Sequence, residues 1–296
     1  MTGLTLGVDL GGTYVKLGVC SATGESRRSV SIPTEAARGP EDVVRRIATA
    51  AASLGAVDAC CAGVPGTLDL GRTTLLRANN LPGWKEVRFP DLLRAALKGL
   101  PTFMENDANC AAWGEYVAGA GRGARSLILY TLGTGVGGGI VLDGEMWIGA
   151  SGAAGEFGHM TIDPAGPLCA CGQNGCVQAY ASATALAARW GKGTAKECFD
   201  AAKAGDPEAM AVVDWSSDGL SQGVANAIHV LHPEVCVLAG GMALAGDFLL
   251  DKVRAGVRRR VQPSYLEKIR LEASRVSGDD AGWLGAALWA ARKVRG

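Results

Sequence analysis

The sequence lacks an excess of charge of either sign and has few histidines. Its 296 residues include 29 Lys and Arg against 29 Asp and Glu, and only three are His. Proteins that bind nucleic acid or anionic membranes through their overall field carry a basic excess. The composition therefore argues against both partners. Because histidines are so few, one that lies close in sequence to other metal-ligating residues is a candidate ligand.

Long apolar segments are also missing. The uncharged run from Ser126 to Leu142 is short for a membrane span and rich in glycine. The start of the chain has no basic region followed by an apolar one, as a secretory signal has. We therefore expect a cytoplasmic protein without a membrane segment. In that reducing compartment, the nine cysteines should be buried thiols or metal ligands.

The segment from Gly155 to Tyr180 concentrates metal-ligating residues. Its candidate ligands are His159, Cys169, Cys171 and Cys176. A tetrahedral set of three thiolates and one imidazole is the closed type that suits structural zinc, whereas catalytic zinc keeps an open position. Three glycines would let the loop fold tightly around an ion; they are Gly166, Gly172 and Gly175. The alternative is a glycine-rich surface loop with incidental cysteines, and the nearby histidine favours the zinc site.

Two segments each read as a strand, a glycine turn and a returning strand. The first runs from Leu4 to Cys20 and the second from Ser126 to Leu142. When the two segments are aligned, Leu10 and Gly11 match Leu132 and Gly133. Backbone N–H groups in such turns can hold phosphate oxygens. Two similar hairpins predict a duplicated α/β unit with a cleft between the halves. The alternative is two unrelated hairpins, since glycine pairs are common in hairpins.

Other nucleotide-binding motifs are excluded. Each glycine turn leads into a strand and not into a helix, which does not fit the dinucleotide G-x-G-x-x-G context. A G-x4-G-K-[ST] motif is absent from the sequence. At the end of the first strand, Asp9 is placed to hold a phosphate-bound magnesium ion through water.

A polar cluster, Glu105 to Asn109, ends a strand that begins at Pro101, and a helix is predicted over 108–117. Carboxylates at such a junction are often catalytic, and Asp107 could accept a proton from a substrate hydroxyl. The alternative is that Asn106 or Asp107 caps the helix. The loop from Asn79 to Trp84 suits hydroxyl recognition, but its composition alone favours an ordinary turn.

Periodicity predicts most of the remaining elements. Helices are expected over 40–54, 177–190, 206–231, 246–261 and 281–294, and strands over 57–64, 234–239 and 268–273. His229 and His232 close the longest helix, where we expect packing or capping and not metal binding.

Five motifs in order resemble the ROK family of bacterial sugar kinases and repressors, and are most similar to its glucokinases. They are D-L-G-G-T (9–13), E-N-D-A-N (105–109), L-G-T-G-V-G-G-G (132–139), E-F-G-H (156–159) and C-A-C-G-Q-N-G-C (169–176). The resemblance covers nearly the whole chain. It implies an actin-like ATPase (ribonuclease H-like) α/β fold, duplicated into two lobes around a cleft. Residues 1–118, closed by helix 281–296, would form the small lobe, and residues 119–280 the large lobe with the zinc loop.

The family resemblance also implies an ATP-dependent hexokinase that phosphorylates the 6-hydroxyl of glucose or a related hexose, with Mg²⁺ accompanying ATP. Asp107 would be the general base. The sugar would contact Asn80, Asn106, Asp107, Glu156, His159 and Gln178. ATP would contact Asp9, Gly11, Gly12, Thr13, Lys16, Gly133, Thr134, Gly135, Gly240 and Gly241. One ring nitrogen of His159 would bind zinc while the other faces the sugar. A homodimer is also implied.

One position departs from the family pattern. Two residues after the third cysteine of the motif, the glucokinases usually place a sugar-binding glutamate, whereas this chain has Gln178. An amide lacks the charge that makes such hydrogen bonds strong. Mannose, fructose, allose or an N-acetylhexosamine therefore remain alternative sugars, and polyphosphate an alternative donor. A sugar-binding protein with a regulatory role is the other alternative, although the family's repressors carry an N-terminal helix-turn-helix module and the first strand here starts by Leu4.

Overall fold

Two five-stranded sheets of identical topology form the framework of the protein. The computed structural model describes residues 2–78, 80–276 and 280–295, with the side chains of Ser26 and Arg27 excepted. In each sheet an antiparallel three-stranded ribbon continues into two parallel strands, in the orders β3-β2-β1-β4-β8 and β11-β10-β9-β12-β13. The predicted duplication of an α/β unit is confirmed by this repeated strand order.

The first half of the chain contains the first sheet, a small three-stranded sheet and three helices. The strands of the first sheet are β1 (Leu4–Leu10), β2 (Tyr14–Ser21), β3 (Ser26–Pro33), β4 (Ala59–Val64) and β8 (Thr102–Asn106). The small sheet consists of β5 (Thr67–Leu68), β6 (Leu75–Arg77) and β7 (Lys85–Val87). The helices are α1 (Pro40–Ala52), α2 (Phe89–Ala96) and α3 (Asp107–Ala118).

The second half contains the second sheet and seven helices among the described residues. Its strands are β9 (Leu127–Leu132), β10 (Val136–Leu142), β11 (Glu145–Met146), β12 (Val235–Ala239) and β13 (Arg270–Ala273). Its helices are α4 (Gln178–Ala181), α5 (Ala183–Trp190), α6 (Ala195–Lys203), α7 (Pro207–Leu231), α8 (Asp247–Arg258), α9 (Pro263–Leu266) and α10 (Ala281–Arg295). None of these described helices combines the length and apolarity that crossing a membrane requires.

Helices α3 and α10 lie between the two sheets and share one hydrophobic core with both. Trp283 of α10 is 1% exposed and packs in this core with Cys61 of the first sheet and Leu129 of the second. The helices approach closely because Gly285 has no side chain; a Cβ atom there would lie 1.8 Å from the Cys110 carbonyl oxygen. Outside this shared layer each sheet has its own core, so the molecule has two lobes.

The remaining helices and strands follow their apolar patterns with some exceptions. The helix predicted over 177–190 is instead two helices, because Ser182 adopts an extended conformation and its side chain caps α5 at Ala185 N–H. The helix predicted over 246–261 is shorter, and runs from Asp247 to Arg258. Periodicity did not identify β3, α2, α6 or the small sheet. Asn79 of the predicted polar loop lies outside the described residues.

Candidate active site

A cavity of about 540 Å³ opens between the two lobes and collects residues from three of the five motifs, together with Gln178 and Gly240. The predicted site residues that line it are Asn106, Asp107, Gly133, Thr134, Gly135, Glu156, His159, Gln178 and Gly240. Strands β8 and β9 both end at this cavity. In open α/β folds, ligands bind at the carboxyl ends of the strands. Two further segments that sequence reasoning missed complete its walls: Gly66–Leu68 and Gly152–Ala154.

Asp107 lies at the floor of this cavity, at the first position of α3. The helix cap is Asn106, whose side-chain oxygen accepts hydrogen bonds from Ala108 N (2.9 Å) and Asn109 N (3.2 Å). The same Ala108 N–H is shared with the Asp107 carboxylate, which also lies 2.9 Å from it. Because Asn106 caps the helix, Asp107 is available to a ligand. The side-chain nitrogen of Asn106 lies 3.5 Å from the carbonyl oxygen of Gly66, the residue just before the small sheet.

The surroundings of Asp107 raise the pKa of its carboxyl group to about 7. Burial is the largest cause, because it removes water from the charged form. The negative charges of Asp9 and Glu156 act in the same direction, while the backbone amide of Ala108 opposes them. A carboxylate with a pKa near neutrality can accept a proton from an alcohol much more effectively than one with an ordinary pKa.

The first glycine turn lies at one side of Asp107, outside the lining of the cavity. Gly11 N donates to Tyr14 O at 3.0 Å, which closes the turn between β1 and β2. Asp9 faces Lys16 across these strands, and its carboxylate lies against Gly282 at the start of α10. Asn80 is at the same turn: a Cβ atom at Gly12 would lie 3.0 Å from its carbonyl oxygen. Thr13, in the same turn, is exposed.

The second glycine turn separates the main cavity from another of about 470 Å³. Gly133 N donates to Gly135 O at 3.0 Å, and Gly133 and Thr134 line both cavities. Gly240 borders the main cavity and Gly241 the second one, which is mostly apolar. Sequence reasoning missed most of its walls, which are formed by Thr194, Ala195, Lys196, Phe199, Asp200, Lys203, Met242, Leu244 and Ala245. The last three belong to a short 3-10 helix, Gly241–Ala245. The capping box Thr194-x-x-Glu197 was the sequence signal that could have identified α6, which supplies most of the others.

Gln178 connects the second glycine turn to the cysteine cluster. Its side-chain oxygen accepts a hydrogen bond from Val136 N at 2.9 Å, which turns its amide nitrogen toward Cys169 Sγ, 3.7 Å away. A Cβ atom at Gly135 would lie 2.6 Å from the Gln178 oxygen, so a larger residue there would displace the Gln178 side chain. The side chain lines the cavity while both ends of its amide have protein partners.

The four predicted metal ligands converge. The ligand atoms of His159, Cys169, Cys171 and Cys176 all lie within 4.8 Å of one another. His159 Nδ1 is 4.0 Å from Cys169 Sγ, and Cys171 Sγ is 3.6 Å from Cys176 Sγ. A tetrahedral zinc site with Zn–S bonds of about 2.3 Å requires sulfur atoms about 3.8 Å apart, so this donor set fits the ion. The other ring nitrogen, His159 Nε2, lies 3.9 Å from Glu156 Oε2 at the cavity.

The chain around the cluster is held by backbone hydrogen bonds. Cys169 N donates to Gln173 O (2.8 Å), Gly175 N to Pro167 O (2.8 Å) and Ile162 N to Gly175 O (2.8 Å). Gly175 has φ +67°, and a Cβ atom there would lie 1.6 Å from Asp163 O, so only glycine fits. The six cysteines outside the cluster are buried free thiols, as predicted.

Comparison with known proteins extends this description. A glucokinase of Thermotoga maritima is 37% identical over 313 residues, 98% of each chain. An N-acetylmannosamine kinase of Yersinia pestis is 34% identical over 97% of this chain and 98% of its own. The crystal structure of a ROK family glucokinase from Streptomyces griseus, in complex with glucose and AMPPNP, superposes with a TM-score of 0.83 at 34% identity. That alignment covers 98% of this chain and 100% of the other.

The repeated sheets, the interlobe cavity and the paired glycine turns define an actin-like fold of the sugar-kinase type. A sequence profile of the ROK family matches residues 5–293, and the chain belongs to this family.

Proposed function

We propose that this protein is an ATP-dependent hexokinase that phosphorylates the 6-hydroxyl of glucose or of a related hexose. The observation that carries this proposal is the carboxyl group of Asp107, which has a pKa raised to about 7 at the floor of the interlobe cavity. The identity to kinases of glucose and of N-acetylmannosamine over nearly the whole chain supports the same reaction class.

The sugar occupies the main cavity, with its 6-hydroxyl toward Asp107. Hydroxyl partners line both sides of the cavity: the Asn106 amide on one side, and Glu156, His159 and the second N–H of the Gln178 amide on the other. Asn80 lies beside Gly12, at the first turn, and closes the site from that side when the lobes approach. Because His159 Nδ1 faces the cysteines, its Nε2 is the nitrogen left for the sugar.

The nucleotide spans the second cavity and the two glycine turns. The apolar cavity beside α6 takes the adenine, with Gly240 and Gly241 close to the adenosine. The triphosphate passes Gly133, Thr134 and Gly135 toward the turn of Gly11, Gly12 and Thr13, where the amides of Gly12 and Thr13 face it. When bound with ATP, Mg²⁺ neutralises phosphate charge. Asp9 is the carboxylate placed to hold it through water, and Lys16 faces Asp9 across the hairpin.

In the reaction, Asp107 accepts the proton of the 6-hydroxyl as that oxygen forms a bond to the γ-phosphorus. The bond between the γ-phosphorus and the β–γ bridging oxygen breaks, and ADP leaves with that electron pair. The protein contributes alignment, charge stabilisation and exclusion of water more than covalent chemistry. Approach of the lobes around both substrates would also limit transfer of the phosphoryl group to water.

The cysteine cluster is a structural zinc site in this proposal. Three thiolates and His159 Nδ1 would fill all four positions, so the ion supplies rigidity and no open site for substrate. The ring of His159 is then fixed in one orientation and one tautomer, with Nε2 directed at the cavity. The sugar-binding side of the second lobe is thereby held in place.

Residues 1–118 with helix 281–296 are the proposed small lobe, and residues 119–280 the proposed large lobe. Helix α3 packs against β9 and β10 of the second sheet as well as against α10. The boundary at 118 therefore lies at the end of a helix that both lobes share. A cytoplasmic location and a homodimer stay predictions from the sequence.

The first test is replacement of Asp107. Asp107→Asn preserves shape and removes the base, so turnover should fall by about 10²–10⁴-fold while sugar binding survives. The measurement is ADP release across a panel of glucose, mannose, fructose, allose and N-acetylhexosamines, with sugar binding by calorimetry. Near-normal turnover in the variant would reject Asp107 as the base. No ADP release by the wild-type protein with any of these sugars would reject the kinase.

A kinase for an N-acetylhexosamine is the second candidate. The observation that favours it is the 34% identity to an N-acetylmannosamine kinase over 97% of this chain. Gln178 weakens the case for glucose, because it carries no charge toward a sugar hydroxyl and both ends of its amide have protein partners. The same panel distinguishes the two. A higher kcat/KM for N-acetylmannosamine than for glucose would assign the chain to the second reaction.

A further inference from the structure

We propose that Arg72 is a positioning residue that joins the two lobes at the sugar-binding end of the cavity. It acts through a segment of the second lobe, residues 149–154, which we call the wall loop. This inference rests on the proposed function, because the wall loop is assigned to the sugar side. Arg72 does not itself line the cavity, and none of the motifs identified in the sequence includes it.

The guanidinium group of Arg72 contacts both lobes at once. Its Nε lies 3.0 Å from Glu105 Oε1 and 3.1 Å from Oε2, and its Nη2 donates to Gly152 O at 3.2 Å. The side chains of Arg72 and Glu105 are 11% and 2% exposed, so the pair is nearly free of water. Arginine presents several donors in one plane, which lets it hold a carboxylate and a carbonyl oxygen together.

The turn between β5 and β6 is built to present this side chain. Arg72 has φ +54°, a left-handed conformation that is uncommon for arginine. The turn is fixed by Asp69, whose carboxylate accepts hydrogen bonds from Thr73 N and Thr74 N, both at 2.7 Å. Arg72 N also donates to Asp69 O at 3.0 Å. Uncommon backbone conformations persist only where their surroundings determine them, and they concentrate at functional sites.

The wall loop has little other support. One backbone hydrogen bond, from Ala154 N to Ile148 O at 3.0 Å, joins the two ends of the loop. Among the described residues, the only hydrogen bond that reaches residues 149–153 is the one from Arg72 to Gly152 O. Gly149 and Gly152 have φ values of +73° and +83°, so the loop backbone is permissive. The contact with Arg72 therefore limits how far the loop can move.

The same guanidinium supports the other side of the sugar cavity through Glu105. The Glu105 carboxylate accepts hydrogen bonds from Asn106 N (2.8 Å) and Asn109 Nδ2 (2.9 Å), at the start of α3 beside Asp107. Ala153 and Ala154 of the wall loop face this region across the cavity. The nucleotide end is built from Gly133, Thr134 and α6, none of which contacts Arg72 among the described residues. Loss of Arg72 should therefore affect the sugar more than ATP.

The experiment compares four variants of the full-length protein. Arg72→Met removes the guanidinium, and Arg72→Lys keeps the charge without the planar group. Arg72→Met leaves the buried Glu105 carboxylate without its partner, which alone can destabilise the fold. The double variant Arg72→Met with Glu105→Gln avoids this by removing both charges. Arg125→Met is the matched control, since Arg125 forms a fully solvated surface pair with Asp143.

Hydrogen exchange of the wall loop and steady-state kinetics are the readouts. In both Arg72→Met proteins, amides 149–154 should exchange faster, and the KM for sugar should rise about 10-fold or more with a much smaller change in the KM for ATP. Arg72→Lys should recover part of the sugar KM. Arg125→Met should match the wild type in both measurements.

Two results would overturn the inference: unchanged exchange at 149–154 in a folded Arg72 variant, or equal rises in the KM values for sugar and ATP. Hydrogen exchange requires no turnover, so it reports on the contact even if no hexose is a substrate. Faster loop exchange in a protein without kinase activity would support the contact between Arg72 and the wall loop but reject the proposed function. The two proposals can therefore fail separately.

Discussion

At the scale of single residues, the surroundings of Asp107 change the pKa of its carboxyl group. Burial, followed by the charges of Asp9 and Glu156, raises the pKa of its carboxyl group to about 7. The base is active only when deprotonated, so lowering the pH through this value removes it. We predict that kcat/KM for the sugar rises with pH up to about 7 and then levels, because this parameter reports the free enzyme.

The control for the pH profile is the residual activity of Asp107→Asn. Its asparagine cannot titrate, so the step near pH 7 should be missing from its profile. A wild-type kcat/KM that does not change between about pH 5.5 and 8.5 would contradict the assigned role.

Gln178 is the residue at which substrate preference is most open to change. A glutamate there can still accept the hydrogen bond from Val136 N, but its second oxygen would face the Cys169 sulfur without a proton to donate. We expect that oxygen to turn to a sugar hydroxyl, where a charged acceptor binds about twice as strongly as a neutral one. Gln178→Glu should lower the KM for glucose by about 10-fold and leave the KM for ATP unchanged.

Gln173→Glu is the matched control for this substitution. Gln173 is exposed on the same loop, and its described contacts are through the backbone, to Cys169 N and to the Cys171 sulfur. It adds the same charge without reaching the cavity, so its kinetics should match those of the wild type. If both variants change the KM for glucose equally, the effect is one of overall charge and the role of Gln178 is rejected.

At the scale of elements, the cysteine loop is the part of the site that depends most on a single ion. We predict about one zinc per chain in the purified protein, measured by elemental analysis, because four ligand atoms already converge. Cys171→Ser should release the zinc, increase hydrogen exchange over residues 160–176 and weaken sugar binding more than ATP binding. The physical reason is that His159 loses the bond that orients its ring.

Cys198→Ser serves as the control for the cysteine loop. Cys198 is a buried thiol of α6, outside the cluster. This variant should retain the zinc and the exchange pattern of the cysteine loop. A wild-type protein without zinc, or a Cys171→Ser protein that keeps it, would contradict the structural site.

The single helix predicted over 177–190 shows why element boundaries need tertiary structure. The local sequence is compatible with one continuous helix, yet the chain breaks at Ser182. The next residue donates from Ala183 N to Gly133 O at 2.7 Å, and Thr184 Oγ1 donates to Thr134 O at 2.9 Å. These contacts hold the second glycine turn, and they come from a segment about fifty residues away. Periodicity contains no information about such a partner.

At the scale of the whole molecule, the proposed substrate sites lie between the two lobes. We predict that saturating hexose together with AMPPNP decreases the radius of gyration measured by small-angle X-ray scattering, because in the proposed complex each ligand contacts both lobes. Asp107→Asn, which retains its ligands in the proposal, should compact in the same way and serves as the positive control. An unchanged radius in both proteins would argue against closure. Light scattering in the same samples tests the predicted homodimer.

The sequence by itself determined the duplicated α/β fold, the two glycine turns, the metal-ligand set and the identity of the candidate base. These features are local: hydrophobic periodicity, glycine spacing and clustered ligands are each readable within a few tens of residues. Which residue caps α3 was not local information. The structure shows that Asn106 is the cap and that Asp107 lines the cavity, and the role of Asp107 as base stays a proposal.

Tertiary structure alone decided the walls of the two cavities and the link between the lobes. Gly66–Leu68 and Gly152–Ala154 line one cavity because α3 and α10 hold the two sheets against each other, and α6 lines the second cavity with residues about fifty positions away in either direction. The same packing removes water from Asp107 and raises the pKa of its carboxyl group, and it brings Arg72 within reach of Gly152. Burial and contacts between distant segments depend on the whole fold, so no local pattern could have specified them.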